Sequence, residues 1–320
     1  MAFKREPQVF SSRINSVIIG SGSSGITLGG ENVLPLYTFD APPENRPAVG
    51  VAISDIGLYM DAPGIRTFYS GADSIVDIAV KAAAMPGADF LVITLDGAHP
   101  DKGDKSAEEC AALVKAISDA VDFPLAVEGC RHLEKDTKVL EKVSEVTFGR
   151  NILILSAHEE NYKAVAAASA LAYSQNVTAE SAVDINLAKQ LNVLISQMGV
   201  DPARMVMNLG SAAAGYGFEY IASTIERVKL AALAQSDAML QMPVITPVWY
   251  ETWAVRESVA SEEDYPEWGS AEKRGIHMEV STAAACLAAG SNAVILCHPD
   301  SVLTVSELIY ALTGGVQYGS

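Results

Sequence analysis

Basic residues are scarce in this sequence, in which 22 lysines and arginines stand against 39 aspartates and glutamates and give a formal charge of −17. Proteins that bind nucleic acid do so largely by placing lysine and arginine on phosphates. The deficit of basic residues therefore argues against a nucleic-acid partner. A strong negative charge favours solubility and can steer protein partners, but it identifies no substrate.

Long hydrophobic runs are also missing, although apolar residues make up 49% of the chain. A membrane-spanning helix needs about 18 or more consecutive apolar residues, and no segment reaches that length. The N-terminal residues Met1–Gln8 include basic side chains but no apolar core of a secretory signal. We therefore expect a cytoplasmic protein with a sizeable buried core and no membrane partner.

Several metal-binding and catalytic signatures are absent. The cysteines have no C-x-x-C spacing that would indicate zinc or an iron–sulfur cluster, and we expect all four to be reduced and structural: Cys110, Cys130, Cys286 and Cys297. No G-x-S-x-G nucleophile elbow occurs. No predicted strand contains a lysine, which disfavours the Schiff-base chemistry of class I aldolases.

From residue 47 onward, short β-branched runs alternate with alanine-rich helical segments, and the alternation repeats eight times. Strict βα alternation predicts a parallel sheet, and eight units predict closure into an α/β fold of the (β/α)8 TIM barrel type. An open doubly wound sheet is the alternative, but it would leave short, polar edge strands that the sequence does not contain. The predicted strands are Ala48–Ile53, Phe90–Leu95, Pro124–Val127, Ile152–Ser156, Val177–Ala179, Arg204–Asn208, Pro243–Val248 and Ala293–Cys297. The predicted helices are Ser74–Ala84, Ala107–Ala120, Asp136–Val146, Tyr162–Ser174, Asn186–Gln197, Tyr220–Ala234, Glu272–Ala289 and Val302–Leu312, with Asp184 and Ser301 as caps of the fifth and the eighth.

Residues 1–46 lie outside this repeat and form an N-terminal extension to the predicted barrel domain of residues 47–320. Ser16–Gly20 and Ile26–Gly29 flank a Gly/Ser turn and predict a β-hairpin. The hairpin either closes the bottom of the barrel or contacts a partner. Its turn, Gly20–Gly25, matches G-x-G-x-x-G, but strand-like residues follow where a dinucleotide site would need a helix N-terminus, so a nucleotide site is disfavoured.

Polar residues follow most of the predicted strands, at the rim where TIM barrels bind their ligands. They include Asp96, Glu128, His158, Glu180, Asn208 and His298. Their convergence predicts a ligand site on the rim, although each residue taken singly is more often a helix cap or a loop anchor. A mononuclear metal site is a weaker alternative, because its candidate ligands lack H-x-H or H-E-x-x-H spacing: Asp96, His99, Glu128 and His298.

Two segments distinguish this rim. Tyr250–Lys273 is an insertion after the seventh strand, rich in Trp, Tyr, Glu and Pro, and every other connection is predicted to be tight. Asn208–Tyr220 follows the sixth strand and combines small residues and glycines with aromatic rings. Glycine lets the backbone approach a large flat ligand or another protein closely. The simpler interpretation is a tight loop that needs positive φ.

Several longer motifs occur in the order found in one known family. They are Gly29–Pro35 with Phe39-Asp40, Ala179–Asn192, Gly215–Tyr220 followed by Glu226–Leu233, Glu251–Trp253 with Arg256-Glu257, Trp268-Gly269 and Arg274–Ile276, and His298-Pro299. On these motifs the chain resembles the small subunit of the corrinoid iron–sulfur protein, the family that includes the delta subunit of the acetyl-CoA decarbonylase/synthase complex. One departure is Asn208–Ser211, which reads Asn-Leu-Gly-Ser where the family often has an Asp-Pro-Thr-Thr type of start.

This resemblance implies a non-catalytic methyl carrier. The chain would form a heterodimer with a large subunit, a cobamide would lie at the interface beneath the barrel rim, and the large subunit would carry the [4Fe–4S] cluster. The cobamide would take a methyl group from methyltetrahydrofolate, through a separate methyltransferase, and pass it to acetyl-CoA synthase in the reductive acetyl-CoA (Wood–Ljungdahl) pathway of carbon fixation. The cofactor would supply the hard chemistry and the protein its shielding and orientation.

The resemblance supplies no catalytic residue. From the rim and the motifs, the candidate cofactor-binding residues are Asn208, Ser211, Gly215, Tyr216, Gly217, Glu251, Trp253 and His298. The alternative function is a methyltetrahydropterin:corrinoid methyltransferase, a TIM-barrel enzyme that would bind the pterin itself on a set such as Asp96, Asp184 and Asn186. An unrelated barrel lyase is the third hypothesis.

Overall fold

The computed structural model describes residues 7–34, 36 and 41–314 of the chain. Within these residues, eight parallel strands form a closed barrel in which neighbours in sequence pair and the last strand pairs with the first. An antiparallel hairpin precedes the barrel. The strands are β1 Val17–Ile19 and β2 Ile26–Leu28 in the hairpin, then β3 Ala48–Ser54, β4 Phe90–Thr94, β5 Leu125–Glu128, β6 Leu153–Ala157, β7 Asn176–Glu180, β8 Met205–Asn208, β9 Val244–Pro247 and β10 Ala293–Leu296 in the barrel.

Helices connect successive barrel strands and cover the outside of the barrel. They are α1 Pro63–Phe68, α2 Ile75–Ala83, α3 Ala107–Ala120, α4 Leu133–Val146, α5 Tyr162–Val165, α6 Ile185–Gln197, α7 Phe218–Ala234, α8 Val248–Thr252, α9 Arg256–Val259, α10 Ala271–Ala289 and α11 Pro299–Leu312. The predicted TIM barrel with an N-terminal hairpin is therefore confirmed. The domain boundary between residues 46 and 47 stays a prediction, and β3 begins at Ala48.

The local sequence explains why these elements form where they do. The barrel strands are buried on both faces, which accounts for their nearly continuous apolar runs. Inside the barrel, a Cβ on Gly50 would lie 2.4 Å from the ring of Phe90, so only glycine fits opposite that ring. Ser106 and Glu109 form a reciprocal capping box on α3, and Asp184 caps α6 as predicted.

The hairpin closes the N-terminal end of the barrel. Its inward side chains share one buried cluster with residues that fill the barrel interior: Val17, Ile19, Ile26 and Leu28. The side-chain amides of Asn151 and Asn176 donate to the carbonyl oxygen of Ile18 at 2.7 and 2.8 Å and fix the hairpin there. The glycine-rich turn leads directly into β2, so no helix N-terminus stands behind it as a phosphate site would require.

Three local predictions were wrong. The last helix begins at Pro299, and His298 rather than Ser301 is its N-cap, because proline is well suited to the first helical position. The predicted fourth helix, Tyr162–Ser174, divides into α5 and a π-helical turn over Ala166–Ala172. The connection between β3 and α2 is not tight, because Asp55–Ser74 contains the additional helix α1.

Three residues of the family motifs lie outside the described part of the chain: Pro35, Phe39 and Asp40. Among the helices of the described part, none is both long enough and apolar enough to cross a membrane.

Candidate functional site

Asp96 lies at the C-terminal mouth of the barrel, directly after β4. Its Oδ2 accepts hydrogen bonds from the hydroxyls of Ser54 at 2.7 Å and Thr94 at 2.6 Å, and its Oδ1 accepts one from Lys102 Nζ at 2.9 Å. Burial alone would raise the pKa of Asp96, but these hydrogen bonds lower it below its ordinary value. Asp96 is therefore a fixed anion with no free proton to give.

Glu128, at the end of β5, is the second carboxylate of the mouth. Its Oε1 accepts from Arg131 Nε at 3.1 Å and Nη2 at 2.9 Å, whereas its buried Oε2 has no hydrogen-bond partner. Burial raises the pKa of Glu128 to about 6, with Arg131 opposing the shift. The Arg131 guanidinium lies 3.6 Å from the ring centroid of Tyr250 in the insertion, so these two side chains together cross the mouth.

Asn208, the last residue of β8, links two further rim elements. Its amide Nδ2 donates to Glu180 Oε2 at 2.8 Å, and its Oδ1 accepts from the backbone N–H of Gly210 at 2.9 Å. The space beside it, bounded by Glu128 and Ser156, has a free volume of about 0 Å³. This part of the mouth is thus filled by the protein's own side chains.

The glycine-rich segment after β8 turns back over the rim with positive φ at Gly210, Gly215 and Gly217. Gly215 is exposed, and a Cβ there would meet no atom within 4 Å. The simpler interpretation of this segment, a loop that needs positive φ, is therefore correct as a description of the backbone. It leaves the open surface beside Gly215 available for contact.

Ser211 and Tyr216 are two polar side chains of the same segment, one buried and one exposed. The buried hydroxyl of Ser211 has no hydrogen-bond partner within the described residues. The hydroxyl of Tyr216 donates a short hydrogen bond to Glu257 in α9, which joins this segment to the insertion. Tyr216 as a residue stays 49% exposed, and Tyr220 is 65% exposed.

Two arginine side chains, those of Arg256 and Arg274, hold the insertion after β9 in a fixed conformation. Arg274 Nε donates to the carbonyl oxygen of Glu257 at 2.6 Å, and its other nitrogens donate to the carbonyls of Ala260 and Gly269. Arg256 lies 4.7 Å from the ring centroid of Tyr265. These contacts hold α9 and the segment after it against the start of α10, as one structured cover on the rim.

A cleft of about 530 Å³ lies between this cover and the connection after β3. We call it the aromatic cleft, and its lining residues are Tyr59, Met60, Asp61, Ala62, Pro63, Trp249, Tyr250, Trp253, Ser258, Val259, Glu262, Ser270, Ala271 and Glu272. The ring centroids of Tyr59 and Trp249 are 4.2 Å apart. The volume is within the range of small-molecule and cofactor sites, roughly 300–1,000 Å³.

His298 lies behind this cleft and is fully buried. Its Nδ1 accepts from the backbone N–H of Asp300 at 3.2 Å, which assigns the proton to Nε2. Nε2 then donates to Glu272 Oε1 at 3.2 Å, an oxygen that also accepts from the backbone N–H of Gly64 at 2.6 Å. His298 therefore orients a carboxylate of the cleft wall and stacks at 5.8 Å on Trp253.

The eight predicted cofactor-binding residues occupy one side of the rim, around the ends of β8, β9 and β10. Ser211, Gly215, Tyr216 and Gly217 lie in the glycine-rich segment, Glu251 is half-buried on α8, and Trp253 lines the aromatic cleft. Asn208 and His298 lie beneath the surface. Contact of any of the eight with a cofactor stays a prediction.

Sequence reasoning missed the opposite wall of the aromatic cleft, to which Tyr59 and Asp61 belong, as well as Trp249 and Glu272. The available signal was the long gap between β3 and α2, with Tyr59-Met60 and the helix-starting Pro63 inside it.

The residues considered for a metal site and for pterin binding do not form a shared site. Among the described residues, no group of three histidines, cysteines or carboxylates is arranged to hold a metal ion. Of the pterin-binding set, Asp184 accepts from the backbone N–H groups of Asn186 at 2.8 Å and Leu187 at 3.1 Å as the exposed cap of α6. Asp96 is the only member of that set in the mouth itself.

A family model described as the CO dehydrogenase/acetyl-CoA synthase delta subunit matches residues 16–281. The chain belongs to this family. A relative from Methanosarcina thermophila, the acetyl-CoA decarbonylase/synthase complex subunit delta 1, is 33% identical over 93% of this chain and 69% of its own length. The delta subunit of that complex from Archaeoglobus fulgidus is 31% identical over 99% of this chain and 72% of its own length. The resemblance read from the sequence motifs is confirmed at the level of the family.

Similar solved structures are dihydropteroate synthases. The enzyme from Vibrio fischeri has a TM-score of 0.55 and 12% identity, with 93% of this chain and 97% of that chain covered. The Coxiella burnetii enzyme in complex with pteroic acid also has a TM-score of 0.55, with 11% identity over 84% and 94% of the two chains. Identities this low show a common barrel fold and nothing about the ligand.

Proposed function

We propose that this chain is the small subunit of a corrinoid iron–sulfur protein, a methyl carrier that holds a cobamide together with a large subunit. The observation that carries the proposal is membership of the delta-subunit family, together with a barrel that is filled beside Asn208. At the mouth the Arg131 guanidinium lies over the ring of Tyr250, and the aromatic cleft opens beside this pair.

The rim has features that fit a large, flat, amide-rich cofactor. The glycine-rich segment offers a surface at Gly215 that no side chain obstructs. The hydroxyl of Ser211 lies buried beneath this segment and has no hydrogen-bond partner among the described residues. The exposed Tyr216 follows Gly215 in the chain, and Trp253 offers a second ring in the aromatic cleft. When bound, the cobamide would supply the cobalt that accepts and releases the methyl group.

This chain's own residues would then bind, orient and shield. Gly215 and Tyr216 would contact the cofactor periphery, while Asn208 and His298 would hold their rim neighbours from below. Asp96 stays ionised and bonded to Lys102, so it would act as a fixed support rather than as an acid. No residue of the rim is assigned a bond-making step.

The [4Fe–4S] cluster belongs, in this proposal, to the large subunit. Cluster ligation requires thiolates, and burial raises the pKa of Cys110 to about 11 and that of Cys130 and Cys286 to about 12. All four cysteines of this chain are buried within separate parts of the fold. The methyl donor would be methyltetrahydrofolate, through its methyltransferase, and the acceptor acetyl-CoA synthase; both would act at the cytoplasmic heterodimer.

The decisive experiment compares two glycine variants in the heterodimer co-expressed with its large subunit. Gly215→Leu places a bulky side chain on the proposed cofactor surface. Gly149→Leu is the matched control, because Gly149 has nearly the same φ, +84° against +87°, and also has no atom within 4 Å of an added Cβ, but lies at the opposite end of the barrel. Leucine at positive φ strains both variants equally, by about 1–2 kcal/mol.

We expect Gly215→Leu to lower cobamide affinity about tenfold, equivalent to about 1.4 kcal/mol, while Gly149→Leu leaves it unchanged. Corrinoid per heterodimer is measured by absorbance and folding by circular dichroism. Unchanged cobamide occupancy in a folded Gly215→Leu variant would place the cofactor elsewhere. Isolation of this chain alone as an active, corrinoid-free methyltransferase would replace the proposal with the pterin-binding alternative.

A further inference from the structure

Arg131, in the short connection between β5 and α4, has a strained backbone. Its φ is +68°, in the left-handed region that is costly for residues with a side chain. On one side of it, the Gly129 N–H donates to the carbonyl oxygen of Leu155 at 3.2 Å. The adjacent Cys130 N–H donates to Asp136 Oδ1 at 2.7 Å. Strained residues that neighbours hold in place in this way cluster at functional sites and switch regions.

One carboxylate oxygen and one ring hold the guanidinium of Arg131 over the mouth. Nε and Nη2 both donate to Glu128 Oε1, at 3.1 and 2.9 Å, and the group lies 3.6 Å from the ring centroid of Tyr250. The guanidinium donates no other hydrogen bond to the described residues, and the Arg131 side chain is 43% exposed. Partly exposed ion pairs and stacked cations are weak contacts, so an outward position of this side chain is close in free energy.

The part of the mouth next to Arg131 is rich in carboxylates. Burial is the main cause that raises the pKa of Glu128, and the negative charges of Glu180 and Asp96 add to the shift. Each of these two neighbours has its own polar partner, whereas Arg131 is the only ion-pair partner of Glu128 in the described part of the chain. Outward rotation of Arg131 would leave Glu128 without a counter-charge, at a position that attracts a cation.

Arg131 is the mobile member of its pair with Tyr250. Tyr250 lies on α8, in which the neighbouring side chains of Trp249 and Thr252 are buried and fix the helix to the barrel. The backbone of Arg131 is fixed by the hydrogen bonds on its N-terminal side. Opening therefore requires only rotation about the side-chain bonds of the arginine.

We propose that the Arg131 side chain is a gate on the barrel mouth. In its closed position the guanidinium rests on Glu128 and Tyr250, as it does in the structure. In its open position the guanidinium is rotated outward, and the vacated space between the Glu128 carboxylate and the Tyr250 ring accepts a small planar cation from solution. The gate is a property of this chain and is tested without cobamide, so its failure would leave the proposed function standing.

Solvent exchange of the arginine Nε–H groups measures the opening. The full chain is labelled with 15N-arginine, and exchange of each Nε–H with water is followed by NMR. The Nε–H of Arg131 is protected only while it donates to Glu128, so it exchanges through the open position. Arg274 is the matched control, because its Nε–H donates to the carbonyl oxygen of Glu257 at 2.6 Å and its other nitrogens donate to two further carbonyls. Arg131→Lys and Arg274→Lys assign the two resonances.

Two variants should open the gate without unfolding the rim. Tyr250→Leu removes the ring and should accelerate exchange of the Arg131 Nε–H about twofold to fivefold. Glu128→Gln keeps an acceptor oxygen but removes its charge, and should accelerate the exchange about tenfold. Neither variant should change exchange of the Arg274 Nε–H, which reports that the insertion is intact.

Two results of the exchange measurement would overturn the gate. Exchange of the Arg131 Nε–H that is as slow as that of Arg274 and unchanged in both variants would make Arg131 a rigid cover. Exchange in the parent chain that is as fast as in free arginine would mean that the closed position is not populated.

A ligand measurement tests the vacated position. Arg131→Gly removes the side chain, and glycine adopts the same φ without strain, so the fold is kept. Saturation-transfer NMR should detect binding of methylguanidinium to Arg131→Gly, and this binding should be lost in the parent chain and in the double variant Arg131→Gly with Glu128→Gln. Urea has a similar planar shape without charge and should not bind. Absence of methylguanidinium binding to Arg131→Gly, equal binding to all three proteins, or equal binding of urea would overturn the proposal.

Discussion

Lys229 is the most informative residue for testing how the N-terminal extension is held to the barrel. Its ammonium is fully buried, at 3.0 Å from Glu31 Oε1 and 2.5 Å from Asn292 Oδ1. Asn292 Nδ2 also donates to Glu31 Oε1 at 2.7 Å, which closes a triangle between the extension, α7 and the start of β10. Burial lowers the pKa of Lys229, and the charge of Glu31 opposes that shift. The ion pair of Lys229 and Glu31 therefore forms at a large desolvation cost.

Lys229→Met removes the positive charge and keeps a side chain of similar length. Glu31 is then left buried without a counter-charge, and breaking a buried ion pair in this way costs about 3–5 kcal/mol. Replacing both members, with Lys229→Met and Glu31→Gln together, removes both buried charges and should restore most of the loss. The glutamine can still accept from Asn292 Nδ2, so the double variant keeps one side of the triangle.

Urea unfolding followed by far-ultraviolet circular dichroism measures these differences as a double-mutant cycle. The control is Lys189→Met, since Lys189 pairs with Asp237 at 2.6 Å on the surface and is 49% exposed. An exposed pair of this kind contributes about 0–1 kcal/mol. A coupling energy between Lys229 and Glu31 below about 0.5 kcal/mol would contradict the argument, because contacting residues of a buried network normally exceed it.

Two further predictions concern the rim. Because the pKa of Glu128 is raised to about 6 from its ordinary 4.5, the folded carboxyl binds a proton more tightly than the unfolded one. The free energy of unfolding of the parent chain should therefore fall by about 2 kcal/mol, relative to that of Glu128→Gln, as pH rises from about 4.5 to 7. Parallel curves of unfolding free energy against pH for the two proteins would contradict this. A Cβ on Gly275 would lie 2.0 Å from the Trp253 ring, so Gly275→Ala should displace that indole from His298, change tryptophan emission and destabilise the fold by about 1–3 kcal/mol. Emission identical to the parent would show that the indole had not moved.

The fold could be predicted from the sequence because its signal is periodic and local. Each barrel strand is a short run of mostly apolar residues, and several of the helices that follow carry their own caps, as Asp184 does for α6. The errors in the predicted helix boundaries occurred where two local sequence rules gave different answers. At α11, Ser301 is a good cap by type, but Pro299 starts the helix two residues earlier and leaves His298 as the cap.

The site could be predicted only in part, because one wall of the aromatic cleft comes from the connection after β3, which is far in sequence from the insertion after β9. Trp253 was found from the insertion after β9, whereas Tyr59 belongs to the connection after β3. Closure of the barrel pairs β10 with both β3 and β9 and brings these connections together. Sequence spacing carries no information on that approach. The filling of the mouth by Arg131 and Tyr250 is likewise a contact between two distant loops.

Where the rim is filled and where it is open together determine how a cofactor would meet this barrel. Arg131 is held over the mouth at positive φ by its two hydrogen bonds to Glu128, a position that costs backbone strain and is retained only when the surroundings fix it. The open surfaces, at Gly215 and in the aromatic cleft, lie to one side of the pair formed by Arg131 and Tyr250. A ligand on such a rim would be bound at its edges, while its centre remains above the pair formed by Arg131 and Tyr250. That arrangement suits a subunit that shields a reactive cofactor without reacting with it.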